Sequence, residues 1–440
     1  SPNTWFDNGK ISMANRHSIG SIRTARLLLG YLVAAVVIAQ QSGAVAQAVS
    51  PKGHIAQFQT TQPTQLDWVF ALANQSPAEE PAGLLKDYDS TKQRFELYVP
   101  AGVGSRVAAP LILFISPSQK ATGLSQFRKL CDREGVVFAS PHQAGNQTPG
   151  PRRVRIVMDT LDEVRRRYNV DSDRTYIGGF SGGGRIAFTI ATALPEYFGG
   201  VIPVCVGGQL RTESWLRERV ISRLRIALLT GENDFNRGEI ERMTQTQFSG
   251  VGVTSRIWTV SRLGHAIPSG KTLDEAFAWL EDGLKDRQTL ARRFPASRIA
   301  DAPSRSEWAQ RLLAEAEARL RTDKSPYAGL MQLKGLHVRW NDLPEAQQAL
   351  KILQEYDSAD DRPWEAEDIA EQRRFLIAQA RGVDVYATGP LPKQYEKQKA
   401  SMINAAIQLW AAVIQDGQDE AAVAEGTRRI PVLKSMLASE

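Results

Sequence analysis

Between Arg94 and Asp286, short apolar runs alternate with longer segments that have helical spacing. The runs 110–115 and 136–140 are almost wholly apolar, as in parallel strands that are covered on both faces. In the segments between such runs, apolar residues recur every three or four positions, as on one face of a helix. Strands that alternate with helices of about 10 to 15 residues predict βαβ units. The predicted fold class is therefore α/β, with a doubly wound, mostly parallel sheet. The predicted strands are 94–100, 110–115, 136–140, 175–178, 201–206, 225–230 and 253–260.

After Asp286 the strand signal ends, and every periodic segment is helical. The stretch 287–306 contains two prolines and is predicted to be a linker, and 307–440 is predicted to be a helical domain. Within that domain, Tyr327–Asp357 resembles a single tetratricopeptide-like hairpin, although its period does not recur; a compact helical appendage is the alternative. Because the linker is rich in proline, serine and arginine, we expect an independent unit in preference to a cap on the catalytic face.

A glycine-walled turn joins a buried strand to a helix in the stretch 176–185, YIGGFSGGGR. It contains Gly179-x-Ser181-x-Gly183, the spacing of a nucleophile elbow. A serine on so sharp a turn is strained, and only residues without a Cβ pack beside it at low cost. The turn would raise the Ser181 hydroxyl above the sheet and aim the Gly182 N–H at an oxyanion. The alternative is a glycine-rich turn with an incidental serine. A phosphate-binding P-loop is excluded, because no Lys-Ser or Lys-Thr follows the glycines.

A serine nucleophile needs a base and an orienting acid, and in this architecture the acid precedes the histidine along the chain. Two histidines follow Ser181. His337 falls inside a helical segment and is interpreted as a packing or surface residue, whereas His265 follows the last core strand and is the predicted base. The acid should follow an earlier strand, which leads into Thr230-Gly231-Glu232-Asn233-Asp234. We predict Asp234, three positions past the glycine, with Glu232 as its rival.

Three segments together resemble the α/β-hydrolase fold: YIGGFSGGGRIAF, LLTGENDFNR and LGHAIPSGKTLDEAFAWL. More narrowly, they are similar to the exported esterases grouped with polyhydroxybutyrate depolymerases and feruloyl esterases. The resemblance covers roughly residues 90–285. It implies Ser181 as the nucleophile, Asp234 as the acid and His265 as the base. The implied activity is hydrolysis of carboxylic esters through an acyl-enzyme intermediate.

One departure from that group concerns the second oxyanion donor. Its members usually have His-Gly and small residues after the strand that corresponds to 110–115. This chain has Ser116-Pro117-Ser118-Gln119, and proline has no N–H. Ser118, or else Gln119, is the predicted donor beside Gly182. The departure and the helical extension support a second hypothesis, a catalytically weak hydrolase-fold protein that acts as a binding module. A serine peptidase on the same fold is the third.

The N-terminal pattern predicts export. Three arginines precede the apolar run 27–39, and small residues at 44–48 offer a cleavage site, as in a secretory signal peptide. We expect 1–48 to be removed, which would leave a periplasmic or extracellular protein without a stable membrane span; an uncleaved anchor is the alternative. An irregular segment, 49–90, and the catalytic domain, 91–286, follow.

Composition narrows the partners and cofactors. The net charge is +6, and residues 1–46 contribute +3 of it through four basic side chains and one acidic one. The rest of the chain therefore has a net charge of only +3, which gives little reason to expect a nucleic-acid partner. The expected partners are a small-molecule or polymeric ester and, for the helical region, a protein. Cys131 and Cys205 are predicted to be buried free thiols, with a disulfide as the alternative. No His/Cys cluster has metal-ligand spacing, so neither a metal nor another cofactor is predicted. Residues predicted to line the substrate cleft are Trp68, Phe235 and the loop 142–151.

Overall fold

An eight-stranded, mostly parallel sheet is the centre of the computed structural model. Its strands are β1 (Gly53–Gln59), β2 (Arg94–Val99), β3 (Ala109–Ile115), β4 (Val137–Pro141), β5 (Val170–Phe180), β6 (Gly200–Val204), β7 (Arg225–Gly231) and β8 (Ser255–Val260). Their order across the sheet is β1-β2-β4-β3-β5-β6-β7-β8. Strand β2 runs antiparallel to β1 and β4, and all other neighbours pair in parallel. The predicted α/β class is confirmed.

The structure describes residues 51–72, 83, 85–104, 106–292, 304–323, 326–362, 364–389 and 393–438, which belong to one compact unit. The predicted signal peptide lies outside these residues, as does the part of the predicted linker from 293 to 303. Over the ranges that are described, no helix combines the length and the apolar composition needed to cross a membrane.

Helices cover both faces of the sheet and continue beyond its last strand. Those of the sheet domain are α1 (Leu124–Glu134), α2 (Gly150–Arg167), α3 (Gly182–Ala193), α4 (Ser214–Arg223), α5 (Arg237–Met243), α6 (Ser249–Val251), α7 (Lys271–Asp282) and α8 (Leu284–Arg292). The C-terminal helices are α9 (Arg305–Thr322), α10 (Tyr327–Arg339), α11 (Pro344–Asp357), α12 (Trp364–Thr388), α13 (Lys399–Asp416) and α14 (Glu420–Ala438). A π-helical turn, Thr244–Phe248, connects α5 to α6.

The central strands are buried on both faces, which explains their continuous apolar runs. In β3, Leu111 and Leu113 point into the core beneath α2 and α3, whereas Ile112 and Phe114 point into the core beneath α1 and α7. All four side chains are fully buried. Alternation of side chains across the sheet therefore places every residue of such a strand in a core.

Strand β1 is the one that the sequence pattern missed, because 49–90 was predicted to be irregular. It forms the edge of the sheet and pairs only with β2. Ile55 and Phe58 are its apolar residues that pack against the core, and most of its other side chains are exposed. A half-exposed edge strand carries too weak an alternation to stand out in the sequence.

The C-terminal helices are not independent of the sheet domain, so that expectation is wrong. Apolar residues of α9, α10 and α12 share a core with α4; we call this contact the α4 interface. Helix α10 comes so close that a Cβ on Gly335 would lie 2.6 Å from the Trp215 ring. Arg217 of α4 and Glu371 of α12 form a buried ion pair at 2.7 Å. Amphipathic spacing shows that a helix face is buried, but not against which partner.

The outer part of the helical region has a separate core. Helix α12 packs with α13 and α14 around residues such as Ile403 and Trp410. The predicted hairpin at Tyr327–Asp357 forms as α10 and α11. The helices range from 13 residues in α10 to 25 in α12, so they form no regular repeat, and the compact appendage describes them better.

Candidate active site

Ser181 occupies the turn between β5 and α3 with φ 51° and ψ −122°, a conformation that residues with a side chain rarely adopt. Its N–H donates to the Val204 carbonyl at 2.8 Å, which ties the turn to β6. A Cβ on Gly179 would lie 2.5 Å from the Gly183 carbonyl carbon, and one on Gly183 would lie 2.1 Å from the Ile115 oxygen. The glycines are thus required by close backbone contacts. Strand order and elbow together decide the architecture. The chain has an α/β-hydrolase fold.

Asp234 and His265 meet beyond the carboxyl ends of β7 and β8. His265 Nδ1 lies 2.8 Å from Asp234 Oδ1, which also accepts the Asn236 N–H at 3.0 Å, and Oδ2 accepts the Thr230 hydroxyl at 2.7 Å. Burial of Asp234 opposes its ionisation, but these hydrogen bonds outweigh burial and lower its pKa. Because an ionised carboxylate only accepts, Nδ1 must carry the proton, and Nε2 is left as a proton acceptor.

Glu232, the rival acid, faces a different loop. Its Oε2 accepts the Arg262 N–H at 2.8 Å and the Ser261 hydroxyl at 3.1 Å. These hydrogen bonds lower its pKa, and its side chain is exposed. The structure therefore places Asp234, rather than Glu232, against His265.

Two phenylalanines pack against the imidazole of His265. The Phe180 ring centroid lies 4.8 Å from that of His265, and Phe180 directly precedes Ser181. Phe235 stacks on the imidazole at 4.2 Å, although 74% of Phe235 is exposed. The imidazole is thus held beside the elbow, and Phe235 presents an apolar face to solvent next to His265.

Ser118, one of the two predicted second donors, makes a hydrogen bond within its own turn. Its N–H donates to the Ser116 hydroxyl at 3.1 Å, and the carbonyl of Pro117 accepts the Asn146 N–H at 2.9 Å. The turn is thus held by its own Ser116 hydroxyl and by Asn146 of the loop after β4, contacts that the sequence does not display. Gly182 begins α3, where a helix leaves its first N–H groups without backbone partners, so it fits the role predicted for it.

Cys205 adjoins Asp234 and His265. Burial, with the neighbouring Asp234 carboxylate, raises its pKa to about 12, and its thiol donates to the Ala266 carbonyl at 3.4 Å. Ligand atoms of Cys205, Asp234 and His265 lie within 4.8 Å of one another, a cluster that sequence spacing did not reveal. A protonated thiol is a poor metal ligand, so the trio fits a hydrogen-bonded support for the imidazole. Both Cys205 and Cys131 are free and buried, as predicted.

A polar cleft of about 540 Å³ adjoins the loops that follow β3 and β4. Gln119 belongs to the first loop, and Gln143 and Thr148 belong to the second, within the predicted cleft-lining stretch. Trp68 does not line the cleft. It is buried in the core, with the Arg155 guanidinium 5.3 Å from its ring centroid.

Two side chains at the elbow were missed by sequence reasoning. Arg153 of α2 donates to the carbonyls of Ala144 and Gly182, at 2.7 and 3.0 Å. The Asn146 amide occupies the space beside Gly182, where a Cβ on that glycine would lie 2.1 Å from Oδ1. No motif marks either residue; the one signal was that Asn146 belongs to a loop predicted to line the cleft.

No protein-family model matches the chain, and no curated protein matches it. Similar solved structures include a thermostable esterase, at 19% identity over 47% of this chain and 60% of that one, with a TM-score of 0.32. An S-formylglutathione hydrolase from Agrobacterium tumefaciens is 15% identical over 54% of this chain and 97% of its own, with a TM-score of 0.33. A fluorophosphonate-binding serine hydrolase from Staphylococcus aureus is 10% identical over 52% of this chain and 98% of its own, with a TM-score of 0.37. The assignment of the fold rests on strand order and elbow geometry, not on these likenesses.

Proposed function

We propose that the protein is a serine hydrolase that cleaves carboxylic esters, with Ser181 as nucleophile, His265 as base and Asp234 as acid. The observation that carries the proposal is the joint geometry of these elements. A strained serine directly follows β5, and an aspartate–imidazole hydrogen bond of 2.8 Å fixes a histidine whose ring packs on the residue before that serine. A serine needs such a base to become nucleophilic at neutral pH.

Each group then has one role in the reaction. His265 Nε2 takes the hydroxyl proton as Ser181 Oγ attacks the ester carbonyl, and the resulting oxyanion is stabilised by the Gly182 N–H. The intermediate collapses to an acyl-enzyme, and the imidazolium gives its proton to the departing alcohol. Water, deprotonated by the same imidazole, attacks the acyl-enzyme, and the carboxylic acid leaves as Ser181 regains its proton. Asp234 holds the tautomer and stabilises the imidazolium throughout.

The test is covalent labelling with a fluorophosphonate probe, followed by peptide mapping of the adduct. We expect one labelled residue, Ser181, and complete loss of labelling in Ser181→Ala. Ser261→Ala, which removes an exposed hydroxyl on a neighbouring loop, should label like the wild type. An adduct that maps to another serine would overturn the assignment. A screen of p-nitrophenyl esters of increasing acyl length would then define the acyl group accepted.

A binding module without appreciable catalysis is the second candidate, and a specific observation favours it. The N–H of Ser118, a predicted oxyanion donor, already donates to the Ser116 hydroxyl, and Pro117 has no N–H. A wild-type protein that is folded but neither labelled nor active on short esters would support this candidate. Cleavage of peptides in preference to esters would instead indicate a serine peptidase on the same fold.

We also propose that the protein is exported, on the strength of the arginines, apolar run and small residues before position 49. N-terminal sequencing of protein from a secreting host should find that 1–46 or 1–48 has been removed. A chain that retains residues from Met13 onward would indicate an anchor instead. Soluble or polymeric esters are the proposed substrates, and the helical region is proposed to contact a protein partner.

A further inference from the structure

Arg153 is an anomaly among the buried charges of this protein. Nine arginines are buried in the described part of the chain, and seven of them have a carboxylate oxygen within 3.5 Å. Arg153 and Arg287 are the exceptions. Arg153 is 7% exposed and hydrogen-bonds to two neutral carbonyls. Burial lowers its pKa to about 10, so the guanidinium still carries its charge at neutral pH.

The two carbonyls that Arg153 binds belong to the two elements that face the candidate oxyanion. Gly182 is the residue after Ser181, and its N–H is the proposed oxyanion donor. Ala144 belongs to the loop that carries Asn146, whose amide lies against Gly182. One planar guanidinium therefore fixes the elbow and this loop relative to each other. Arginine suits this task because its N–H groups form a rigid fork.

The charge of Arg153 also has a use that a neutral donor would lack. A tetrahedral intermediate develops a full negative charge beside Gly182, within a region of low dielectric. An arginine already paired with a carboxylate would be largely neutralised, whereas Arg153 has no such partner among the described residues. The N–H of Ser118, one of the two predicted second donors, is bonded to the Ser116 hydroxyl.

From these contacts we infer that Arg153 is the positioning residue of the oxyanion hole: it locks Gly182 to the loop that presents Asn146, and its unpaired charge favours the anionic intermediate. The inference rests on the proposed function and assigns it a component that the elbow motif does not include. Asn146 is the group whose placement depends on Arg153.

The test compares Arg153→Met and Arg153→Lys with Arg287→Met in the full-length protein. Arg287 is a matched control: within the described ranges it is also buried without an ion pair, and it bonds to the Asp173 carbonyl and the Tyr176 hydroxyl, at the other end of β5. Three quantities are measured for each variant: kcat and KM on a short p-nitrophenyl ester, the Kd of phenylboronic acid, and Tm. Boron bonds to the Ser181 oxygen and becomes a tetrahedral anion, which reports on the oxyanion site without turnover.

We expect Arg153→Met to lower kcat by about 10- to 100-fold and to weaken boronate binding by a similar factor, with KM changed less than about threefold. Arg153→Lys keeps the positive charge but not the planar guanidinium, so its kcat and boronate affinity should lie between those of Arg153→Met and the wild type. Arg287→Met should leave kcat and boronate affinity within about twofold of wild type, whatever its Tm. If the methionine variant does not fold, the lysine variant carries the comparison.

A second arm tests whether Arg153 acts through Asn146. In a double-mutant cycle, Asn146→Ala should lower kcat less in the Arg153→Met background than in the wild type. The inference would be overturned if Arg153→Met kept the wild-type kcat and boronate affinity. It would also be overturned if kcat and boronate affinity fell only in proportion to Tm and fell equally in Arg287→Met. A wild-type protein that binds no boronate and is not labelled at Ser181 would overturn the proposed function, a result that the variants cannot imitate.

Discussion

The candidate active site and the α4 interface both bury charged side chains, but they pair them differently. At the interface, Arg217 meets Glu371, Arg219 meets Glu196 and Glu315, and Arg339 meets Asp67 and Glu196. At the site, the partners of Arg153 among the described residues are two carbonyls, and His265 shares one carboxylate with a thiol, a hydroxyl and an N–H.

The difference separates charges that hold the fold from charges that are available for chemistry. A buried charge costs free energy unless it is paired, so each buried ion pair at the interface requires its two elements to stay in contact. An incompletely paired group keeps part of its field for a ligand or an intermediate. Stability and activity should therefore respond separately to mutations in the two regions.

The largest effect should come from removing the interface altogether. A chain that ends at Arg292 exposes the α4 face around Trp215 and leaves Arg217 without Glu371, so we expect no soluble folded protein. A chain that ends at Thr388 keeps α9–α12 and loses only α13 and α14, which pack against α12; it should fold and label at Ser181. Circular dichroism and labelling check both variants, and a folded, labelled chain ending at Arg292 would contradict the shared core.

The next effect separates the two carboxylates near the base. Asp234→Asn should lower kcat by about 10⁴, because the amide favours the wrong imidazole tautomer and does not stabilise the imidazolium; that magnitude is the one known for a protease triad. Glu232→Gln should leave kcat within about twofold, since Glu232 contacts Ser261 and Arg262 instead. Steady-state kinetics on one ester decides, and the reverse ranking would move the acid to Glu232.

A smaller effect should appear in stability alone. Glu371→Ala leaves the buried Arg217 unpaired, and we expect a loss of about 3–5 kcal/mol in the free energy of unfolding. Glu425→Ala breaks a partly exposed pair with Arg381 and should cost less than about 1 kcal/mol. Urea unfolding measures both. In the folded protein kcat/KM should stay near the wild-type value, and a large loss of activity in Glu371→Ala would couple the interface to the site.

The smallest effect is a pH dependence. The pKa of Asp234 is lowered in the folded protein, so its carboxylate adds stability above its unfolded pKa of 3.8, and this contribution is lost as pH falls through the folded value. The stability difference between wild type and Asp234→Asn should thus shrink as pH decreases from about 5 to about 3. Thermal melts of both proteins across that pH range measure the difference. A stability difference that grows as the pH falls would mean that the pKa of Asp234 is raised, not lowered, in the folded protein.

Local pattern was enough to predict the architecture and the elbow. The apolar runs of β3 and β4 require burial on two faces, which only a covered parallel sheet provides. Gly179 and Gly183 are needed wherever a serine turns sharply between strand and helix, because backbone atoms approach within the reach of a Cβ. The order of Ser181, Asp234 and His265 along the chain follows from the order of the strands that carry them. The strand pattern, the glycine spacing and the order of the three residues can each be read along the chain, so the sequence alone determined them.

Tertiary structure decided everything that depends on which surfaces meet. The spacing of apolar residues predicts apolar faces on the C-terminal helices, but only the structure shows that these faces pack on Trp215 and Arg217 of α4. The Pro117 carbonyl accepts the Asn146 N–H from the loop after β4, and Arg153 donates to the Gly182 carbonyl; each contact joins residues 29 positions apart. Cys205 reaches His265 across 60 residues of chain. A spacing rule specifies what one element needs, whereas partners drawn from distant elements are fixed only when the sheet and helices assemble.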